Sequence, residues 1–258
     1  MVPRKSRPYT GCDFLMEVNM NIDEIRKKFV EYSKNYDLTI PDIMDKFHHS
    51  FRVMEYSKDI AISLKLNEED TNLAIIIGLL HDIARFEQWT NYRTYKDGYS
   101  TDHGDLGSEI LEEFLEDNKD KNIIITAVKN HNKFKIEDGL DERTLLFCKI
   151  IRDADKLDIM KEQLLVLTKE IDVIEDSSIE CFEKETMFEN ENLKKESDYI
   201  FRILSFIYDL NFKYSFEFVV NNDILNNKIH LLQVYSGETD KLEEIKNKLL
   251  VYINKQVN

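Results

Sequence analysis

The sequence predicts an all-α protein, and three observations carry that prediction. The chain of 258 residues holds only 7 Gly and 3 Pro, with every proline (Pro3, Pro8, Pro41) inside the first 41 residues. Sandwiches, barrels and repeated βα units need frequent Gly and Pro turns, so most of this chain is free to run as helix. Apolar residues then recur at three- and four-residue spacing through several segments, the helical period. A composition that is 42% hydrophobic, with 15 Phe and 12 Tyr, supplies a core for such helices to share.

Taken in order, residues 1–20 read as a flexible tail. Ile22, Ile25, Phe29 and Tyr32 mark the first helix. Pro41 suits the first turn of a second helix running to about Leu66, because its fixed φ and missing N–H cost nothing there. Asn67-Glu68-Glu69-Asp70 is an acidic helix start, leading through Leu80 into His81-Asp82. A polar, Tyr-rich loop is expected over Gln88–Asp102, with Asp97-Gly98 as its turn. Helices follow at about 103–118, 121–133 and 141–160, the last two separated by Gly139. Between Thr168 and Glu196 the chain carries 10 acidic and 4 basic residues, read as a solvated helix face or loop. Helical spacing returns at Tyr199–Phe212 and Thr239–Ile253. The expected organisation is a catalytic core over 21–165 and a helical extension over 166–258 that packs on it as part of the same structural unit.

Charge and cysteine content exclude several functions. A net charge of −15 lacks the electrostatic footprint of a duplex nucleic acid or anionic membrane binder, while leaving room for a local cationic pocket. Cys12, Cys148 and Cys181 form no CxxC pair, against a disulfide framework or a thiolate zinc site, and point to the reducing cytoplasm. The longest apolar run, Leu73–Leu80, is far short of the ~20 residues that span a bilayer.

Five of the six histidines lie between residues 48 and 131. His49 falls on one stripe with Val53, Ile60 and Leu64, about a hundred degrees from His48. His81 shares a face with Leu73, Ile77 and Leu80, and Asp82 follows it directly. His103 and His131 open and close separate helices, and Asp153 and Asp155 end an apolar one. Buried polar groups of this kind must be neutralised, hydrogen-bonded or bound to metal. Helical bundles build metal sites from such inward side chains on facing helices.

In this order, HSFRV at 49–53, LLHDIARF at 79–86, DHGDLGSEIL at 102–111, His131 and RDADKLD at 152–158 resemble the HD-domain superfamily of metal-dependent phosphohydrolases. The resemblance spans about residues 40–160 and implies a compact all-α bundle. Carried over by position, it makes His49, His81, Asp82 and Asp155 the ligands of a first metal. Asp155 is preferred to Asp153 because the family's closing acid follows a small residue and precedes a basic one. His103 and His131 then resemble the added ligands of the two-metal branch, with Asp82 bridging. The cyclic-dinucleotide branch has a His pair where this chain has His131-Asn132, and its GYP signature is missing. At the position of Arg85, some nucleotidase relatives carry an acid and the cyclic-dinucleotide branch a Lys. A phosphate clamp and a surface salt bridge to Glu87 are both open to this Arg. Lys156 and Arg52 are weaker candidates for the same work.

The resemblance thus implies one or two divalent ions (Mn, Fe, Co, Ni, Zn or Mg) and metal-activated water cleaving a phosphoester. The substrate expected is a nucleotide or another small phosphorylated molecule, and a homo-oligomer is compatible with the chain. Diiron oxygenases of the same superfamily share the six-ligand pattern, and a non-catalytic nucleotide sensor with residues 160–258 as output is a third reading. The Gln88–Asp102 loop, with Trp89, Tyr92, Arg93, Tyr95 and Lys96, is the expected specificity wall.

Overall fold

A computed structural model describes residues 21–162, 167 and 174–258. The expected tail, the 165/166 boundary and the acidic stretch at 168–173 lie outside the described residues, as does Cys12. Among the described residues the secondary structure is helical throughout, without a strand.

Helix α1 (Ile22–Ser33) starts where the Asn21 side chain accepts from the Asp23 amide, and it buries Ile25 and Phe29. Helix α2 (Pro41–Ser63) has Pro41 at its first turn and turns a face of Ile43, His49, Val53, Met54 and Ile60 inward. It stops short of Leu66 because Lys65 adopts a left-handed φ of 57°. Helix α3 (Glu68–Leu80) is capped by Asn67 and buries every residue from Leu73 to Leu80, which makes it the central rod of the core. Gly78 lets α2 cross α3 closely: a Cβ there would stand 2.9 Å from the Met54 Cα.

After α3 the chain turns through His81–Ala84 and restarts as α4 (Arg85–Tyr92), so the expected loop begins at Arg93 instead of Gln88. Its polar residues mislead a reading by composition, because Gln88 is buried and donates to Asp97, Ser100 and Thr101. Helix α5 (His103–Phe114) is capped by Asp102, and α6 (Lys121–Asn130) packs against it. Both end earlier than their spacing suggests. Helix α7 (Glu142–Glu162) follows the turn at Gly139 (φ 87°) and packs against α2, α3 and α6.

The extension comprises α8 (Asp176–Lys184), α9 (Glu196–Ser205), α10 (Lys213–Asn221), α11 (Ile224–Ser236) and α12 (Thr239–Val257). Helix α8 falls in the acidic stretch read as a helix face or loop, while α11 was not foreseen and α10 begins just past the Tyr199–Phe212 run. The run expected at Tyr199–Phe212 breaks after Ser205 into a short 3-10 turn, Phe206–Asp209. Its end is captured by α7, where the Asp153 carboxylate accepts from the Asn211 and Phe212 amides and the Asn211 side chain. Beside it, buried Arg152 and Lys156 both pair with Asp209, at 2.7 and 2.8 Å. Thus α9 and α10 are tied to α7 immediately around Asp155. Cys148 and Cys181 are free and buried, and burial pushes both thiols up to about 12. No described helix is long and apolar enough to cross a membrane.

Candidate metal centre

Six side chains from five segments meet at the junction of α2, α3, α5, α6 and α7. His49 projects from the middle of α2, His81 and Asp82 from the turn after α3, and Asp155 from α7. His103 is the first residue of α5, and His131 caps α6. Those last two ends come together because residue 104 is glycine. A Cβ there would collide with the Asn132 Oδ1 and stand 2.8 Å from the Lys129 carbonyl oxygen.

Each imidazole is oriented by its Nδ1. His81 and His131 direct theirs to the carbonyl oxygens of Gly78 and Val128, one helical turn earlier. His49 directs Nδ1 to Asp158 at 2.6 Å, and His103 directs its own to Asp97 at 2.7 Å. These acceptors hold the Nδ1 protons and point the four Nε2 atoms at a common region, the usual outer arrangement of ligating histidines. Within it, the Nε2 atoms of His49 and His81 are 3.1 Å apart, and those of His103 and His131 are 3.0 Å apart. Two neutral imidazoles cannot face lone pair to lone pair at that distance without a shared proton or a cation.

The two pairs are joined by Asp82. Its Oδ2 lies 3.4 and 3.6 Å from the Nε2 atoms of His49 and His81, and its Oδ1 lies 3.5 Å from those of His103 and His131. Asp155 completes the first group, with Oδ1 at 3.1 Å from His49 and 3.6 Å from His81. Its side chain is 17% exposed against 3% for Asp82, so the centre opens on the Asp155 side.

Electrostatics favour cation capture. Burial opposes ionisation of Asp82, yet the charges of Lys46 and Arg85 hold it well below the usual carboxylate range. Against the same burial, hydrogen bonds to His49 and His81 hold Asp155 well below that range too. Burial pushes His81 down, and burial together with the Arg85 charge pushes His103 down to about 3, so these rings stay neutral donors. Burial and Lys46 also disfavour charge on His49, but its bonds to Asp155, Asp158 and Asp82 raise it to about 10. A proton there stands where a cation is wanted. The set of nitrogen and oxygen donors without thiolate suits a borderline or hard divalent ion, and three overlapping His/Asp groups have the spacing to hold one.

Arg85 points at the centre and not at Glu87. It donates to Asp82 at 3.3 Å, to Gln88 at 2.7 Å and to the Tyr95 carbonyl at 2.8 Å. Lys46, one turn before His49, sits 2.9 Å from Asp82 Oδ2 and went unnoticed in the sequence. Both cations lie over the Tyr95 ring, 5.5 Å for Lys46 and 5.4 Å for Arg85. Tyr95 therefore lines the centre, whereas Tyr92, Arg93 and Lys96 are exposed. Arg52 grips Asp158 with two N–H groups, Lys156 is committed to Asp209, and Asp153 to the extension. Asp158 and Asp97 were also missed in their orienting roles. Asp158 has a signal, since it lies three residues beyond Asp155, whereas Asp97 reads locally only as a turn.

The family model described as HD domain matches residues 47–160. No curated protein and no solved structure matches the chain.

Proposed function

From the premise that residues 47–160 are an HD domain, we propose that the protein is a metal-dependent phosphohydrolase acting on a nucleotide or another small phosphorylated molecule. The observation that carries this reading is Asp82, whose two oxygens each face a separate histidine pair while Lys46 and Arg85 touch the same carboxylate. His49, His81, Asp82 and Asp155 would hold one ion, and Asp82, His103 and His131 a second. A bound divalent ion supplies Lewis acidity, lowering the pKa of a water and polarising a phosphoryl oxygen.

The chain's own residues do the rest. Asp97 and Asp158 keep His103 and His49 oriented, so the donors are preorganised. Arg85 and Lys46 place positive charge at the rim, where the oxygens of a phosphoryl group would be drawn in and neutralised as charge develops. Tyr95 fixes both cations by its ring and anchors the loop through its hydroxyl, which donates to the Asp42 carbonyl. Asp155, the more exposed acid, lies on the side from which a substrate would enter.

The test is hydrolysis of a panel of phosphate mono- and diesters with added Mn²⁺, run beside Asp82→Ala. Turnover in the parent and its loss in the variant, together with reduced metal content, is the expected result. Equal turnover by the variant, or by metal-free protein, overturns the reading. An iron requirement with oxygen uptake and no hydrolysis would assign the centre to the oxygenase chemistry instead.

A further inference from the structure

Arg202, on α9 of the extension, is held unlike the other well-packed arginines. Arg52, Arg143 and Arg152 each turn their Nε/Nη2 edge onto an aspartate: Asp158, Asp70 and Asp209. The Arg202 guanidinium lies over the rings of Tyr199 and Phe206, at 5.7 and 5.8 Å, and donates through Nη1 to Asn190 at 3.2 Å. Its Nε is buried, and no described residue accepts from it. A buried N–H on a charged group is costly to leave unpaired, and the cost is relieved when an anion arrives.

Arg202 lies within electrostatic reach of the metal centre. The charges acting on it include Asp155, the less buried acid of the centre, and Arg85, the cation bonded to Asp82. Phe206, under Arg202, also carries Lys156 Nζ at 5.7 Å over its ring, and Lys156 adjoins Asp155 in sequence. Helix α9 packs on α7, the helix that carries Asp155.

We propose that Arg202 is an anion-positioning residue, whose Nε edge grips a phosphate oxygen of the substrate beside Asp155 while Arg85 contacts the same anionic group. This rests on the phosphohydrolase reading and extends it, because the extension then contributes a substrate contact. Such an edge matches an oxyanion in a way that a lysine does not.

The test is titration of the Mn²⁺-loaded full chain with inorganic phosphate, by calorimetry, in the parent, Arg202→Gln and Arg202→Met. Methionine keeps apolar packing on Tyr199 and Phe206, so one variant serves if the other fails to fold. The expected result is a loss of roughly 10- to 100-fold in phosphate affinity, the value of a charge-assisted hydrogen bond, with Mn²⁺ stoichiometry and helical circular dichroism unchanged. KM for a cleaved ester should rise more than kcat falls. Phosphate affinity equal to the parent's in a folded, metal-loaded variant overturns the role of Arg202 and leaves the phosphohydrolase reading intact. A parent that binds Mn²⁺ but neither binds phosphate nor cleaves any ester overturns both.

Discussion

At the scale of single residues, the centre depends on side chains that never need to touch a metal. The bond from His49 Nδ1 to Asp158, at 2.6 Å, fixes which nitrogen is left for coordination. Asp158 is itself locked by both N–H groups of Arg52. Replacing Asp158 with Asn removes the charge and lets the amide present a donor to His49, so the ring loses its preferred tautomer. Metal affinity should fall by about 10- to 100-fold, the usual effect of losing an outer acceptor. Titration with Mn²⁺ at fixed pH checks this, and unchanged affinity would remove Asp158 from the design. The residue was visible in the sequence only as one more acid near Asp155, because its partner lies 109 residues away.

Element packing decides whether the two halves of the centre come together. The first turn of α5 and the last turn of α6 approach so closely that residue 104 has no room for a side chain. In Gly104→Ala the new methyl meets the backbone oxygen of Lys129, which cannot rotate away, and helix α5 must shift. Overpacking of this kind costs about 1–3 kcal/mol, measurable as a lower urea midpoint. The sharper expectation concerns His103 and His131, whose Nε2 atoms would separate from 3.0 Å. The variant should retain the His49/His81/Asp155 half and bind less metal per chain. Equal stoichiometry at saturating Mn²⁺ would contradict the argument. Element boundaries show the same division between local and distant causes. Pro41 and Asn67 act at their own helix starts and were readable in sequence. The break after Ser205 was not, since it is made by Asp153 holding Asn211 and Phe212.

For the whole molecule, an ion held at the centre would link folding to cation binding. One buried and one part-buried carboxylate and four buried imidazoles converge from α2 through α7, a region whose apolar side chains form one core with the extension. An ion that binds only this arrangement stabilises the folded state by mass action, about 2.7 kcal/mol at a hundredfold excess over Kd. For a chain of this size that corresponds to a rise of roughly 5–10 °C in Tm. Adding Mn²⁺ to chelated protein should produce the rise and EDTA should reverse it, as followed by thermal melts. A Tm indifferent to both would show that no ion binds the folded centre. Buried Arg152 and Lys156 of α7 both find their carboxylate in Asp209, which ties the extension to α7 beside the centre.

By itself the sequence determined the helical class, most helix starts in the core and the identity of the side chains that converge. These are local properties: apolar spacing, capping residues, and a His-Asp doublet at the end of a buried helix. Tertiary structure alone decided what orients and surrounds them. Asp97 and Asp158 became histidine acceptors, and Lys46 and Arg85 closed on Asp82. The reason is physical. Periodicity and capping act within a few residues, whereas the worth of a charge or a hydrogen bond depends on which distant groups packing brings within about 3 Å and how far water is excluded.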